Sequence, residues 1–121
     1  MTPLSVTNPE MQHCIQQCGR CHEICLETAM HHCLEQGGMH VEPGHFRLMI
    51  GCAEICRTAA DSMLGGFPLH KSVCGLCAQA CEVCADSCER IGDMSECVQA
   101  CRHCADACRR MASSGVESDL T

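Results

Sequence analysis

The sequence predicts an all-α protein, an antiparallel up-down-up-down bundle of four helices with a core lined by cysteine. Sixteen of the 121 residues are cysteine, and twelve of them lie in three copies of the spacing C-x3-C-x2-C-x3-C. Steps of four and three residues keep side chains on one face of an α-helix, so each copy forms one column of sulfurs. Proline and glycine divide the chain into four helical segments, and the short connections between them make neighbouring helices antiparallel.

The first helix is predicted over residues 9–36. Asn8 is the expected N-cap, and Pro9 fits the first helical turn, where its missing N–H needs no partner. Gly37 and Gly38 end the helix, because glycine adopts the left-handed conformation that commonly follows a helix. The cysteine column of this helix consists of Cys14, Cys18, Cys21 and Cys25.

Three other side chains share the inward face of this column at about 100° per residue, namely Met11, Thr28 and His32. Cys33 lies about 80–100° away from the column. Its position fits a small buried hydrophobe as well as it fits a ligand. We keep Cys33 among the candidate ligands.

The second helix is predicted over residues 43–64, beginning at Glu42 or Pro43 and ending before Gly65. It carries fewer cysteines than the other three helices. The side chains on its inward face are His45, Met49, Cys52, Cys56, Ala59 and Met63.

The third and fourth helices are predicted over residues 68–91 and 94–114 and look like a duplication. The segment CAQACEVCADSC of one aligns without gaps on CVQACRHCADAC of the other. Pro68 is expected to start the third helix, and Asp93 with Glu96 to form a capping box before the fourth. Their inward faces hold His70, Cys74, Cys77, Cys81, Cys84 and Cys88 on the third helix, and Met94, Cys97, Cys101, Cys104, Cys108 and Met111 on the fourth.

Composition predicts a single domain over residues 1–121, with flexible termini that include a frayed tail over 113–121. The chain has no Trp or Tyr and only two Phe, so a large aromatic core is excluded. Its net charge of −7 argues against binding to nucleic acid or to anionic membrane surfaces. No stretch approaches the roughly 18 apolar residues of a membrane span.

Residues 1–10 show neither a basic nor an apolar signal region, so a cytoplasmic location is expected. Thiols stay reduced in the cytosol, which favours metal binding over disulfides. Helix geometry also favours metal binding over disulfides, because residues i and i+4 of a helix hold their Cβ atoms about 5–6 Å apart. A disulfide requires a Cβ separation of about 3.5–4.5 Å.

Thiolate is a soft ligand that selects Cu(I), zinc or iron–sulfur clusters. Charge favours Cu(I), because one Cu(I) per thiolate leaves the core neutral, whereas zinc in four-thiolate sites cancels only half of the charge. Uncompensated charge inside an apolar bundle costs roughly several kcal/mol per ion. Cu(I) also accepts two or three sulfurs, while zinc needs a closed tetrahedron. We therefore expect on the order of one Cu(I) per cysteine.

Three alternatives stay open. A zinc or cadmium buffer resembling metallothionein would saturate at about four divalent ions. An iron–sulfur electron carrier is disfavoured, because the ferredoxin run C-x2-C-x2-C-x3-C-P has a different first gap and a final proline that this chain lacks. The third alternative is a bundle whose thiol core binds no metal.

Antiparallel packing is expected to bring histidines and methionines to the two ends of the sulfur tube. These neutral side chains suit entry sites for a soft ion, and they suit simple plugging of the bundle ends equally well. The side chains predicted at one end are Met11, Met63, His70 and Met111. Those predicted at the other end are His32, His45, Met49 and Met94. The histidines predicted on the surface are His13, His31, His40 and His103.

The repeated C-x3-C-x2-C-x3-C spacing on long helices resembles that of the bacterial copper storage proteins, and the likeness covers about residues 9–114. It favours their cytosolic branch, because the twin-arginine export signal of the exported branch is absent. The resemblance implies a four-helix bundle that assembles into a homotetramer and holds many Cu(I) ions along its inside. It also implies that cysteines of all four helices are ligands and that His and Met at the bundle ends bind the outermost ions.

The sequence thus predicts a cytosolic protein that stores or sequesters Cu(I) and has no catalytic activity. Copper ions and a copper chaperone are the candidate partners.

Overall fold

The computed structural model describes residues 8–113, and this part of the chain is almost entirely helical. The tail beyond Ser113 and the first seven residues, for which flexibility is predicted, lie outside the described residues. The helical elements are α1 (Pro9–Glu27), a π-helical turn (Thr28–Cys33), α2 (Leu34–Gln36), a 3₁₀ turn (Gly38–Val41), α3 (Pro43–Leu64), α4 (His70–Ile91) and α5 (Ser95–Ser113).

The start of α1 follows the predicted capping chemistry, and α3 begins with a side-chain cap of the same kind. Asn8 Oδ1 accepts a hydrogen bond of 2.7 Å from the backbone N–H of Met11. The carboxylate of Glu42 does the same for the N–H of His45, at 2.9 Å. Each cap precedes a proline in the first turn, so two of the unpaired N–H groups at each helix start are accounted for.

Two predicted helix starts are wrong. The third long helix begins at His70, because residues 67–69 form a turn in which the N–H of His70 bonds to the carbonyl of Phe67. The fourth begins at Ser95, and the carbonyl of Met94 accepts its first bond. Asp93 is not the N-cap, since its φ of 63° belongs to the left-handed turn that reverses the chain.

The π-helical turn changes which side chains of the first helix face inward. A regular helix would continue the cysteine column through Thr28 and His32, which are only half-buried. The extra residue in the wide turn rotates the following positions by about 100°. Ala29 and Cys33 are fully buried as a result. The prediction that Cys33 lies off the column is therefore wrong.

The four long helices form a closed antiparallel ring, which confirms the predicted all-α four-helix bundle. α1 packs against α3 and α5, and α4 packs against α3 and α5. Contacts between the cysteines fix the directions, because Cys14 pairs with Cys108 while Cys25 pairs with Cys97. Within residues 8–113 no helix is both long and apolar enough to cross a lipid bilayer.

The buried apolar side chains of residues 8–113 belong to Cys, Ala and Met alone. Branched aliphatics such as Ile15, Ile24 and Ile55 are only partly buried and pack around this core. The centre of the bundle is therefore a tube of sulfur atoms, with alanines such as Ala53 and Ala85 between the helices.

We predict that the metal-free, reduced protein is already helical. Protonated thiols behave as small hydrophobes, so burying them stabilises the bundle without an ion. Far-ultraviolet circular dichroism of the protein stripped of metal under reducing conditions should show a strong helical spectrum. A random-coil spectrum that becomes helical only with metal, as in zinc fingers, would contradict this expectation.

Candidate metal centre

All sixteen cysteines are buried and free of disulfides. Every long helix contributes sulfurs to the tube, as the spacing predicts. The shortest separation between two sulfurs is 3.4 Å, between Cys18 and Cys108. The other contacting pairs lie 3.5–4.0 Å apart, such as Cys56 with Cys81 at 3.5 Å and Cys77 with Cys81 at 4.0 Å.

The sulfurs form contacts across helices as well as along them. Cys25 of α1 lies 3.5 Å from both Cys97 and Cys101 of α5. On the opposite wall, Cys81 of α4 lies 3.7 Å from Cys52 of α3. A contact of 3.9 Å between the sulfurs of Cys21 and Cys81 links α1 to α4. An ion inside the tube therefore meets thiols from several helices at each level.

Three groups of four thiols and one group of three have all their sulfurs within 4.8 Å of one another. Cys21 and Cys104 each belong to two of the four-thiol groups, so only two of these groups can hold separate ions at the same time. The four-thiol groups are Cys18–Cys77–Cys104–Cys108, Cys21–Cys25–Cys52–Cys101 and Cys21–Cys56–Cys81–Cys104, and the group of three is Cys14–Cys74–Cys108.

The spacing of the sulfurs suits metal ions bound by thiolates. An ion held about 2.3 Å from each sulfur separates its ligands by about 4 Å in a trigonal site and by about 3.8 Å in a tetrahedral site. The observed contacts of 3.4–4.0 Å fit both geometries, so the sharing of sulfurs distinguishes the ions and the spacing does not. Trigonal and two-coordinate ions can share sulfurs along the column, whereas separate tetrahedral ions compete for Cys21 and Cys104.

Hydrogen bonds among the thiols make some of them easier to ionise and others harder. The hydrogen bond with Cys101 lowers the pKa of Cys21 to about 7. The hydrogen bond with Cys101 also raises the pKa of Cys81, and burial adds to that rise. Because the thiolate is the metal ligand, protons must leave this network as ions enter it.

The Nε2 atoms of the three histidines predicted as ligands are buried. Those of His45 and His70 have no hydrogen-bond partner, whereas that of His32 lies 3.5 Å from the carboxylate of Asp93. The Nδ1 atom of His70 donates to the carbonyl of Phe67 at 2.8 Å, which leaves the lone pair on Nε2. His45 Nδ1 lies 2.8 Å from the hydroxyl of Ser87, and burial lowers the pKa of His45. An unpaired buried nitrogen costs about 1–3 kcal/mol, which a metal ion would recover.

The structure brings some of the predicted methionines together. The sulfur of Cys33 lies 3.6 Å from the sulfurs of both Met49 and Met94. At the other end Met63 and Met111 are buried in the core. Met11 packs against the core and is only half-buried.

One histidine differs from its sequence assignment, and a second, His22, is placed by the structure where the sequence made no assignment. His40, predicted on the surface, is half-buried, and its Nδ1 lies 3.9 Å from the sulfur of Cys33. It sits in the 3₁₀ turn, where helical periodicity gives no signal. His22, which is about 80° off the first column, has its Nδ1 2.8 Å from the carbonyl of Ala53, so it joins α1 to α3.

The tube of shared thiols has counterparts among known proteins. The model of the copper storage protein family matches residues 7–113, which is nearly the whole chain. The chain belongs to the copper storage protein family. The fold agrees, since the Cu(I)-bound copper storage protein BsCsp3 is similar with a TM-score of 0.78 and 36% identity over 86% of this chain and 99% of that chain.

Two further relatives resemble this member of the copper storage proteins. The crystal structure of the Nmul_A1745 protein from Nitrosospira multiformis is similar with a TM-score of 0.86 and 52% identity, over 88% of this chain and 98% of that one. The uncharacterized cysteine-rich protein YhjQ of Bacillus subtilis is 37% identical over 65 residues. That match spans 54% of this chain and 59% of the length of YhjQ.

Proposed function

We propose that this protein stores Cu(I) in its interior as thiolate-bridged ions. One observation carries the proposal: the buried centre of the described bundle holds the thiols of all sixteen cysteines, where other bundles place branched aliphatics. Leu and Ile would fill a helix face better than Cys, so stability alone does not account for this composition. Membership of the copper storage protein family and the Cu(I)-bound relative support the choice of ion.

Charge balance supports Cu(I) over divalent ions in this interior. Each Cu(I) that replaces a thiol proton leaves the core with the same net charge. A divalent ion bound by four thiolates leaves an excess of two negative charges in a buried site. Burying uncompensated charge costs roughly several kcal/mol per ion, even after the protein relaxes. The tube can therefore accept Cu(I) along its whole length, on the order of one ion per cysteine.

The proposed ligands are the sixteen cysteines, with His32, His45, His70, Met11, Met49, Met63, Met94 and Met111 binding the outermost ions. The unpartnered Nε2 atoms support His45 and His70 as ligands. The described helices would act as one domain, and the cytosol, where thiols stay reduced, is the proposed location. The homotetramer and a copper chaperone as partner stay predictions from the family resemblance. A storage role involves no catalytic turnover.

The proposal is tested by titrating the reduced, metal-free protein with Cu(I) and, separately, with zinc under anaerobic conditions. We expect Cu(I) to saturate at on the order of one ion per cysteine. Zinc should fill about two four-thiolate sites, because only two of the four-thiol groups are independent.

A Cu(I) capacity no greater than that for zinc, with about four divalent ions bound, would favour a zinc or cadmium buffer instead. Brown protein with strong visible absorption would indicate an iron–sulfur carrier. Cu(I)–thiolate protein should be nearly colourless, because a filled d shell gives no d–d bands.

A further inference from the structure

Two cysteines lie where the thiol tube meets the turn between α4 and α5. Cys88 is in the last turn of α4 and Cys97 is in the first turn of α5, and their sulfurs are 3.9 Å apart. Neither residue belongs to a group of four thiols that could share one ion. The chemistry of this pair can therefore change without breaking the four-thiol groups of the tube.

Each sulfur of the pair also borders a space that a small molecule can enter. Cys88 lines a cavity of about 370 Å³ beside the turn, and Cys97 lines a second cavity of about 280 Å³. A water molecule occupies about 30 Å³, so either cavity accepts a molecule of similar size next to a thiol. Both side chains are at most 1% exposed, which excludes direct attack by a bulky reagent.

We propose that Cys88 and Cys97 are a redox-active pair, which a peroxide converts to a disulfide that joins the end of α4 to the start of α5. The reactant is a small, uncharged peroxide such as hydrogen peroxide, because only a molecule of that size fits the cavities. The disulfide itself depends on the geometry of the two thiols alone, whereas its consequence for copper rests on the proposed storage function.

Helix geometry limits the partners that Cys97 can take. Cys101 lies four residues further along α5, and residues i and i+4 of a helix hold their Cβ atoms about 5–6 Å apart. That separation exceeds the roughly 3.5–4.5 Å between the Cβ atoms of a disulfide. A partner must therefore come from another helix, where the sulfurs of Cys25 and Cys88 lie 3.5 Å and 3.9 Å from that of Cys97.

The turn between α4 and α5 favours Cys88 over Cys25 as the partner. A disulfide holds its sulfurs about 2.05 Å apart, so either pair has to close by well over an ångström. Cys88 and Cys97 lie in helix ends next to residues 92–94, and helix ends open at lower free energy than helix interiors. Cys25 is followed by further helical turns up to Gln36, so its movement would displace a longer segment.

The reaction balances in atoms and electrons. Cys88 is the hydrogen-bond donor in its contact with Cys97, so Cys97 is the more electron-rich sulfur and attacks the peroxide. The O–O bond breaks, Cys97 becomes a sulfenic acid, and one water leaves with the thiol proton. The sulfur of Cys88 then attacks the sulfenic sulfur, the S–O bond breaks, and a second water leaves with the proton of Cys88. Two thiols are oxidised by two electrons in total, and one peroxide is reduced to two waters.

Formation of the disulfide would change how much copper the protein holds. The two oxidised sulfurs no longer act as thiolates, so we expect the Cu(I) capacity to fall by about two ions. The four-thiol groups keep all their members, because neither Cys88 nor Cys97 is one of them. The pair thus makes the storage capacity depend on the peroxide concentration around the protein.

The test treats the reduced, metal-free protein with one equivalent of hydrogen peroxide under anaerobic conditions. The reaction is quenched in acid to stop thiol–disulfide exchange, the remaining thiols are alkylated, and linked peptides are mapped by mass spectrometry. We expect the chain to lose two hydrogen atoms and to gain a link between Cys88 and Cys97. The variant C88A should lose this link. Its matched control C84A, which removes a buried thiol one turn earlier on α4, should keep it.

Glutathione disulfide serves as the size control, because it is too large for the two cavities and should leave the pair reduced. A link from Cys97 to Cys25 in place of Cys88, or sulfinic acid without any link, would overturn the inference. Equal oxidation by glutathione disulfide and by hydrogen peroxide would overturn it as well. If C88A loses its helical spectrum, the peptide map of the wild-type protein decides the question.

A Cu(I) titration of the oxidised protein, before and after treatment with a thiol reductant, separates this inference from the storage function. We expect a capacity lower by about two ions, which reduction restores, and unchanged zinc binding by the two independent four-thiol groups. An unchanged Cu(I) capacity in protein with the mapped disulfide would refute the control of capacity by the pair. Failure of the reduced protein to bind Cu(I) at all would refute the storage function and leave the mapped disulfide standing, so the two failures are distinguishable.

Discussion

Saturation with Cu(I) is expected to raise the unfolding midpoint of the protein by tens of degrees. Each site held at about a thousandfold excess over its dissociation constant adds about 4 kcal/mol of stability. Ten such sites would add about 40 kcal/mol, several times the 5–15 kcal/mol of a typical domain. The effect is large because the ions join sulfurs of different helices, such as Cys25 of α1 and Cys97 of α5, which separate on unfolding.

Differential scanning calorimetry of apo and loaded protein under anaerobic conditions measures this shift. A sample loaded and then stripped with a Cu(I) chelator serves as the control, and its midpoint should return to that of the apo protein. A midpoint that does not change on loading would show that copper binds outside the bundle core.

The double variant C21A/C104A is expected to lose far more metal capacity than two sulfurs account for. Cys21 contacts Cys25, Cys81 and Cys101, at 3.7–3.9 Å. Because Cys21 and Cys104 are the shared members, their removal breaks all three four-thiol groups. We expect zinc binding in four-thiolate sites to disappear and the Cu(I) capacity to fall by roughly four ions, since each Cu(I) binds two or three bridging sulfurs.

The matched control is C84A/C88A, which also removes two buried thiols of the tube. Neither Cys84 nor Cys88 belongs to a four-thiol group. Each double variant creates similar small cavities, at about 1 kcal/mol per removed sulfur, so both should stay helical. The control should keep both zinc sites and lose about two Cu(I) ions. Equal losses in the two variants would show that the groups do not act as shared sites.

The fold and the inward cysteines could be predicted because one pattern determines both. The steps of four and three residues fix the helical period, and they place each column on a single face. In α4 and α5 the predicted inward cysteines are all buried. Asn8, Pro9 and Glu42 act through local chemistry, which is why the starts of α1 and α3 also agree.

Features that depend on tertiary packing could not be predicted in this way. Periodicity assumes a regular helix, so the π-helical turn moved Cys33 inward and left Thr28 and His32 half-buried. The turn at Asp93 places its carboxylate 3.5 Å from Nε2 of His32 in place of a cap on α5. His40 reaches Cys33 from the 3₁₀ turn, whose side-chain directions the α-helical period does not predict.

The interior face of α3 has thiols only at mid-length, at Cys52 and Cys56, with thioethers of Met49 and Met63 toward its two ends. Ions at the centre thus have access to anionic ligands from all four long helices. Ions near either end meet only uncharged thioethers on α3. Binding strength should decline from the middle of the protein outward. A partly filled molecule would then hold its copper centrally, and the outermost ions would form a readily mobilised fraction that equilibrates with the cell ahead of the rest.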